Sequence, residues 1–189
     1  QFNQQHFSLG YDYLKDTLDS EKLFAITSRI NTGAYVQYLG EISSYTLSAS
    51  LRSDNNEQFG AHTTGNVGLK REVIPQLLTV NAGWGQGFHA PSFNDLYWPP
   101  EFGFIGNPNL KPESTESFEL GASGKYSWLI WSLQSYRTTA NNLLGYTDDY
   151  STKINTSSAL IEGLELFLEG DLGKLKTKVN YTLQDPRNQ

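Results

Sequence analysis

The sequence predicts an all-β chain: an antiparallel up-and-down meander of about nine strands, of the kind that forms part of a large outer-membrane β-barrel. Three observations predict it. Apolar and polar residues alternate with period two along most of the chain, whereas helical periodicity is nowhere comparable. The connections between alternating segments are short and long in turn. Hydrophobic content is only 38% and mean hydropathy −0.47, yet aromatics reach 13%.

The alternating segments begin near His6, Ile26, Tyr45, His62, Leu77, Thr115, Tyr126, Ile154 and Leu175. YTLSASLR is the clearest: Tyr45, Leu47, Ala49 and Leu51 share one face and Thr46, Ser48, Ser50 and Arg52 the other. LLTVNAGW repeats the scheme, with Leu78, Val80, Ala82 and Trp84 opposed to Thr79, Asn81 and Gly83. From Thr115 onward Phe118, Leu120 and Ala122 oppose Ser117, Glu119 and Gly121.

The short connections are read at residues 40–44, 71–76, 124–125 and 170–173, and the long ones at 15–25, 54–61, 86–114 and 139–153. Short turns at one end and long loops at the other are what an outer-membrane meander has. Two hairpins make the expectation strict, because a turn fixes register. A two-residue turn at Gly124-Lys125 sets Leu120 opposite Leu129 and Phe118 opposite Trp131. A turn at 170–173 sets Leu168 opposite Leu175, Leu164 opposite Val179 and Glu165 opposite Lys178. Lys176 and Lys178 then point to the polar side, and Glu162 falls on the apolar parity, which places it at the outer rim above the hydrocarbon. A soluble antiparallel sheet with one buried face alternates in the same way, so composition does not separate the two.

Fourteen basic against twenty acidic residues give a charge of −6, which disfavours nucleic acid as a partner. With no cysteine there is neither a disulfide framework nor a cysteine-ligated zinc site. His6, His62 and His89 have no paired spacing on a shared face, so no metal site is expected. GWGQG (83–87) leads into Phe88 and Pro91 rather than a helix, unlike a phosphate loop. GASG around Ser123 lacks a nucleophile-elbow spacing, and Glu113, Glu116 and Glu119 begin a strand rather than form a glycosidase pair. Asn155-Thr-Ser and Asn180-Tyr-Thr match a glycosylation pattern too short to carry weight. No catalytic residue is assigned.

The loop 86–114 is too long for an idle connection. Its Phe93, Tyr97, Trp98, Phe102 and Phe104 are suited to stacking on a flat ligand, with Asn94, Asp95 and Asn107 for hydrogen bonds. The alternative is a loop that folds over the rim and packs on itself.

GQGFHAPSFNDLYW followed by GNPNLKPESTESFELG resembles the strand-loop-strand signature of TonB-dependent outer-membrane receptors. RSDNNEQFGAHTT, WSLQSYRTTANNLLGY and ALIEGLELFLEGDLGKLK are similar to the cobalamin-receptor branch, and the likeness covers nearly the whole chain. The resemblance implies a plugged barrel of about 22 strands, of which residues 1–189 are a mid-barrel portion without plug or final strands. It implies a transporter rather than an enzyme, in the outer membrane, with the plug domain, the remaining strands, TonB and membrane lipid as partners. A bound cobalamin would be cargo, so no cofactor is implied, and the family's calcium ligands match no motif here. Phe93, Asn94, Tyr97, Trp98 and Arg187 are the ligand-side candidates, while Glu119, Glu165, Lys176 and Lys178 face the plug or pore. The rival readings are a siderophore receptor of the same family and a soluble carbohydrate-binding β-domain.

Overall fold

Among the described residues, nine strands form one antiparallel sheet in strict chain order. The structure is a computed structural model and describes residues 5–173 and 175–188. The strands are β1 (Gln5–Thr17), β2 (Ser28–Ile42), β3 (Tyr45–Asn56), β4 (Gly60–Ile74), β5 (Leu78–His89), β6 (Glu113–Tyr126), β7 (Leu129–Asn141), β10 (Ala159–Leu172) and β11 (Leu175–Asn188). Between them lie two elements that the period-two reading missed. One is a single-turn helix, α1 (Phe93–Tyr97); the other is a separate hairpin of β8 (Leu144–Tyr146) and β9 (Lys153–Asn155). The segment expected near Ile154 was therefore a merger of β9 with β10.

Directly paired residues share a face, so the ladder registers carry each parity across the sheet. Trp84 pairs with Phe118, Phe118 with Arg137, Trp131 with Leu168, and Leu168 with Val179. Trp131 and Leu129 thus lie on the face opposite Lys176 and Lys178. That apolar face is uncovered: Leu9 is 83%, Leu120 65% and Leu175 69% exposed. A soluble sheet would bury this surface, so its bareness suits contact with lipid.

Both expected hairpin registers need correction. The β6–β7 turn is at residues 127–128, with Tyr126 opposite Leu129, so Leu120 faces Ser135 and Phe118 faces Arg137. Ser127 takes the positive φ (49°) that such a turn needs. Gly124 is a strand residue opposite Trp131; it is small because a Cβ there would run into the Leu77 carbonyl, and Lys125 N–H donates to Gln76 O at 2.8 Å. In β10–β11 Leu172 pairs with Leu175, so Leu168 meets Val179, Leu164 meets Leu183, and Lys178 meets Glu169 rather than Glu165. Both errors displaced the pairing by an even number of residues, which leaves every side chain on its expected face.

The connection expected at 54–61 is also shorter than read, because β3 and β4 run into it. Asn56 is buried, and its Oδ1 accepts from the N–H groups of Gln58 (3.0 Å) and Phe59 (3.2 Å), closing a tight turn that ends at Gly60 with φ 74°. The remaining long connections, 18–27, 90–112 and 142–158, leave the same end of the sheet. Near that end β4 and β5 pair only as far as Asn66 and Gly85, and His62 stacks on Phe88 with ring centroids 4.0 Å apart. The buried hydrophobic residues, Leu96, Leu110, Ala140 and Leu160, also lie at this end, in the loops or the strand ends beneath them.

Candidate ligand-binding site

The turn-rich stretch GNPNLKPE, Gly106 to Glu113, serves a loop core built on α1. Ser92 caps α1: its Oγ accepts from Asp95 N–H (3.2 Å), and its own N–H donates to the Asp95 carboxylate (2.8 Å). Leu96, 1% exposed, points inward from the helix. The returning chain lies on the end of the helix, with Asn107 N–H donating to Asp95 O (2.8 Å) and Gly106 N–H to Trp98 O (3.0 Å). A Cβ at Gly106 would come within 2.5 Å of Trp98 N and 2.6 Å of Tyr97 N, so only glycine fits.

Three other connections fasten to this unit and make a canopy. From 142–158, Lys153 Nζ donates to Asp95 Oδ1 at 2.6 Å, and Asn107 Nδ2 donates to Lys153 O at 2.9 Å. Burial works to raise the Asp95 carboxyl, but hydrogen bonds from Lys153 and Ser92 outweigh it and hold the group below the usual carboxylate range. The same pairing raises the Lys153 ammonium. From 18–27, Lys22 pairs with Glu101 and lies 4.7 Å from the Trp98 ring, against which Phe24 also packs edge-on. From the β3–β4 turn, Gln58 Nε2 donates to the Tyr97 hydroxyl at 2.5 Å. Arg29 in β2 reaches the Pro91 carbonyl (2.8 Å) and lies over the Phe93 ring at 4.9 Å.

Of the ligand-side candidates, the structure therefore brings Phe93, Tyr97 and Trp98 together within the canopy, each half-buried against a partner. Asn94 is exposed on the helix beside them. Arg187 is not with them: it lies on the apolar face, 2.5 Å from Asp185 and 3.6 Å from Glu162, which also reaches Arg137 at 3.8 Å. Glu119, Glu165, Lys176 and Lys178 share the polar face and are all exposed. Lys178 pairs with Glu169 at 3.2 Å.

The polar face below the canopy is lined with hydroxyls, amides and paired charges. Arg52 donates to Asp54 (2.7 and 2.8 Å) and to Asp12 (2.6 Å), beside a cleft of about 440 Å³ that Tyr35, Gln37 and Asn66 also line. Long side chains lie flat over glycines of the next strand, the Tyr35 ring over Gly10 and the Tyr136 ring over Gly163. This keeps the face low. Sequence reasoning missed Lys22, Gln58 and Lys153, which fasten the canopy from three separate loops; the TDDYST run just before Lys153, with its turn-forming aspartates, was the available signal.

The arrangement has one apolar uncovered face, one polar face and a canopy at one end. The chain matches the family described as "TonB dependent receptor-like, beta-barrel" over residues 1–189. It is 30% identical to the "Vitamin B12 transporter BtuB" of Photobacterium profundum over 98% of this chain and 32% of that protein. The corresponding protein of Vibrio cholerae serotype O1 is 34% identical over 92% of this chain and 27% of its own length. The chain thus spans under a third of these curated relatives. Among solved structures, the siderophore receptor PirA from Pseudomonas aeruginosa superposes with a TM-score of 0.83 at 24% identity, covering 98% of this chain and 38% of that one. The copper transporter OprC superposes with 0.67 at 19% identity, covering 85% and 30%. At such identities the superpositions speak for the fold alone. The family match over residues 1–189 establishes that this chain belongs to the TonB-dependent receptors, as a stretch of their outer-membrane β-barrel.

Proposed function

We propose that this chain supplies part of the wall and the outer loops of a receptor that imports a neutral, cobalamin-like ligand with TonB-derived energy. The observation that carries the choice of cargo is the charge of the canopy. Its connections hold Asp19, Glu21, Glu57, Asp95, Glu101, Asp148 and Asp149 against Lys22, Lys111 and Lys153. Lys22 and Lys153 are already held by carboxylates, as are Arg29 and Arg52 just below. An anionic ferric chelate approaching this mouth meets a field of its own sign, whereas a neutral amide-rich ligand does not. The relatives named as vitamin B12 transporters support the same choice. Transport rather than catalysis also agrees with the family.

In this reading the flat polar face, with Glu119, Glu165, Lys176 and Lys178, is turned to a plug domain, and β1 and β11 are continued by further strands. Phe93, Tyr97 and Trp98 build the canopy from which cargo descends, Asn94 is its exposed hydrogen-bonding group, and Arg187 is a rim residue. The test is binding of cyanocobalamin and of a ferric catecholate to the full-length receptor in outer-membrane vesicles. Saturable binding of cyanocobalamin alone is expected, and binding of only the ferric chelate would replace this reading with a siderophore receptor.

A further inference from the structure

We propose that Phe102, Phe104, Tyr146 and Tyr150 form an aromatic platform that makes the outermost contact with cargo, a neutral ligand presenting a flat apolar face; its cargo class rests on the reading above. The rings come from two adjoining turns. Glu101 and Phe104 close the first through reciprocal backbone hydrogen bonds of 3.1 and 2.9 Å. Thr147 N–H to Thr152 O (3.0 Å) and Tyr150 N–H to Thr147 O (2.9 Å) close the second. Ile105 N–H donates to Ser151 O (2.9 Å) and Thr152 Oγ1 to Ile105 O (2.8 Å), so the turns are one body. Across it the rings run in series, Phe104 to Tyr146 at 6.1 Å and Tyr146 to Tyr150 at 5.8 Å.

Two independent features mark the tips as contacts rather than filler. Phe102 is 100% and Tyr150 71% exposed, so most of each ring is bare, with Lys22 Nζ 5.9 Å from the first and Tyr146 5.8 Å from the second. Both also have left-handed backbone, with φ of 52° and 58°, a conformation that bulky residues disfavour and that glycine or asparagine accepts. Strain and exposure at the same residue, with little packing in return, are what a ligand contact accounts for. The second turn is meanwhile held firmly: the Asp149 carboxylate accepts from Thr147 Oγ1 (2.7 Å) and from Ser151 N–H and Oγ (3.0 and 2.8 Å), and these bonds hold it down at about 2. The cations beside the rings, Lys153 at 5.2 Å from Tyr146 and Lys22 at 5.9 Å from Phe102, are committed to Asp95 and Glu101, which leaves the platform to ring stacking rather than anion capture.

The test uses the full-length receptor in outer-membrane vesicles, with cyanocobalamin and a ferric catecholate as probes. The double variant Phe102→Asn, Tyr150→Asn relieves the backbone, so its melting temperature is expected to stay level or rise while cyanocobalamin affinity falls about tenfold, as for loss of a pair of aromatic anchors. Tyr146→Leu keeps apolar bulk without the ring and is expected to lose a few-fold. Variants that bind cyanocobalamin within about twofold of wild type overturn the platform and leave the cargo reading standing. A wild-type receptor that binds the ferric chelate alone, or neither probe, overturns the neutral-cargo proposal together with the reading beneath it.

Discussion

Leu120 in the wall is 65% exposed and Leu96 in the canopy 1%, although the two are the same residue type. The wall is one layer thick and takes its order from backbone ladders and from a different surrounding on each side. The canopy takes its order from individual contacts among loops that are distant in sequence. Position on a face should therefore matter in the wall, and exact shape in the canopy.

Gly106 offers the largest break of that contrast. In Gly106→Val the side chain has backbone of α1 in its way, and a cost of about 4 kcal/mol is expected, enough to detach α1 and free its neighbours. In the wall, Gly85 lies on the polar face with only Asn66 Cβ nearby, at 3.5 Å, so Gly85→Ala should change stability by less than about 1 kcal/mol. Proteolytic nicking of the loops in the full-length receptor reads the first, and thermal unfolding in vesicles reads both. Equal sensitivity at the two glycines would end the distinction.

Charge gives the complementary break. Leu120→Arg puts a cation on the apolar face at mid-strand and is expected to cost about 2 to 4 kcal/mol. Ser117→Arg, on the polar face of the same strand, should be close to neutral. Folding of the full-length barrel into vesicles under urea measures the difference, and a reversed order would mean that the faces have been assigned backwards.

Within the canopy, the Asp95–Lys153 junction gives a pH signature. The carboxyl is depressed, so its contribution is complete above its ordinary range near pH 4 and is lost as pH falls through the lowered value. The ammonium is raised, so its contribution is complete below about pH 10 and is lost as pH rises through the raised value. The chain has no cysteine, so a spin label at Asn94→Cys reports α1 alone if the rest of the receptor is also free of cysteine. Its mobility should be flat from about pH 4 to 10 and rise as pH falls through the lowered carboxyl value or climbs through the raised ammonium value. In Asp95→Asn it should be higher throughout.

The sequence-level reading succeeded where the physics is periodic. Parity assigned Trp131, Leu168, Lys176 and Lys178 to the correct faces even though both hairpin turns were misplaced, because an even slip preserves parity. It failed where one residue type has two uses. Gly124 was read as a turn former and is a gap for the Leu77 carbonyl; Ser127 makes the turn instead. Canopy contacts such as Lys153 with Asp95 or Gln58 with Tyr97 join residues far apart in the chain, and no local pattern announces them. The aromatic residues of 86–114 were legible as a group; their division into packed rings (Phe93, Tyr97, Trp98) and an exposed one (Phe102) was not.

The smallest effect is expected where wall and canopy meet. Glu162 lies on the apolar face one pair beyond Leu164 and Leu183, between Arg137 and Arg187. If the hydrocarbon ends at that leucine level, the group is wet, its ion pairs are screened, and Glu162→Gln costs no more than about 1 kcal/mol. If lipid tails reach higher, the same substitution leaves Arg137 without its counter-charge in an apolar medium, and the loss grows toward the several kcal/mol of a broken buried pair. Unfolding of the full-length receptor in vesicles of short-chain and long-chain lipid separates the cases. A small effect that does not depend on chain length puts the boundary below Glu162; an effect that grows in the thicker bilayer moves the wall upward into what was counted as rim.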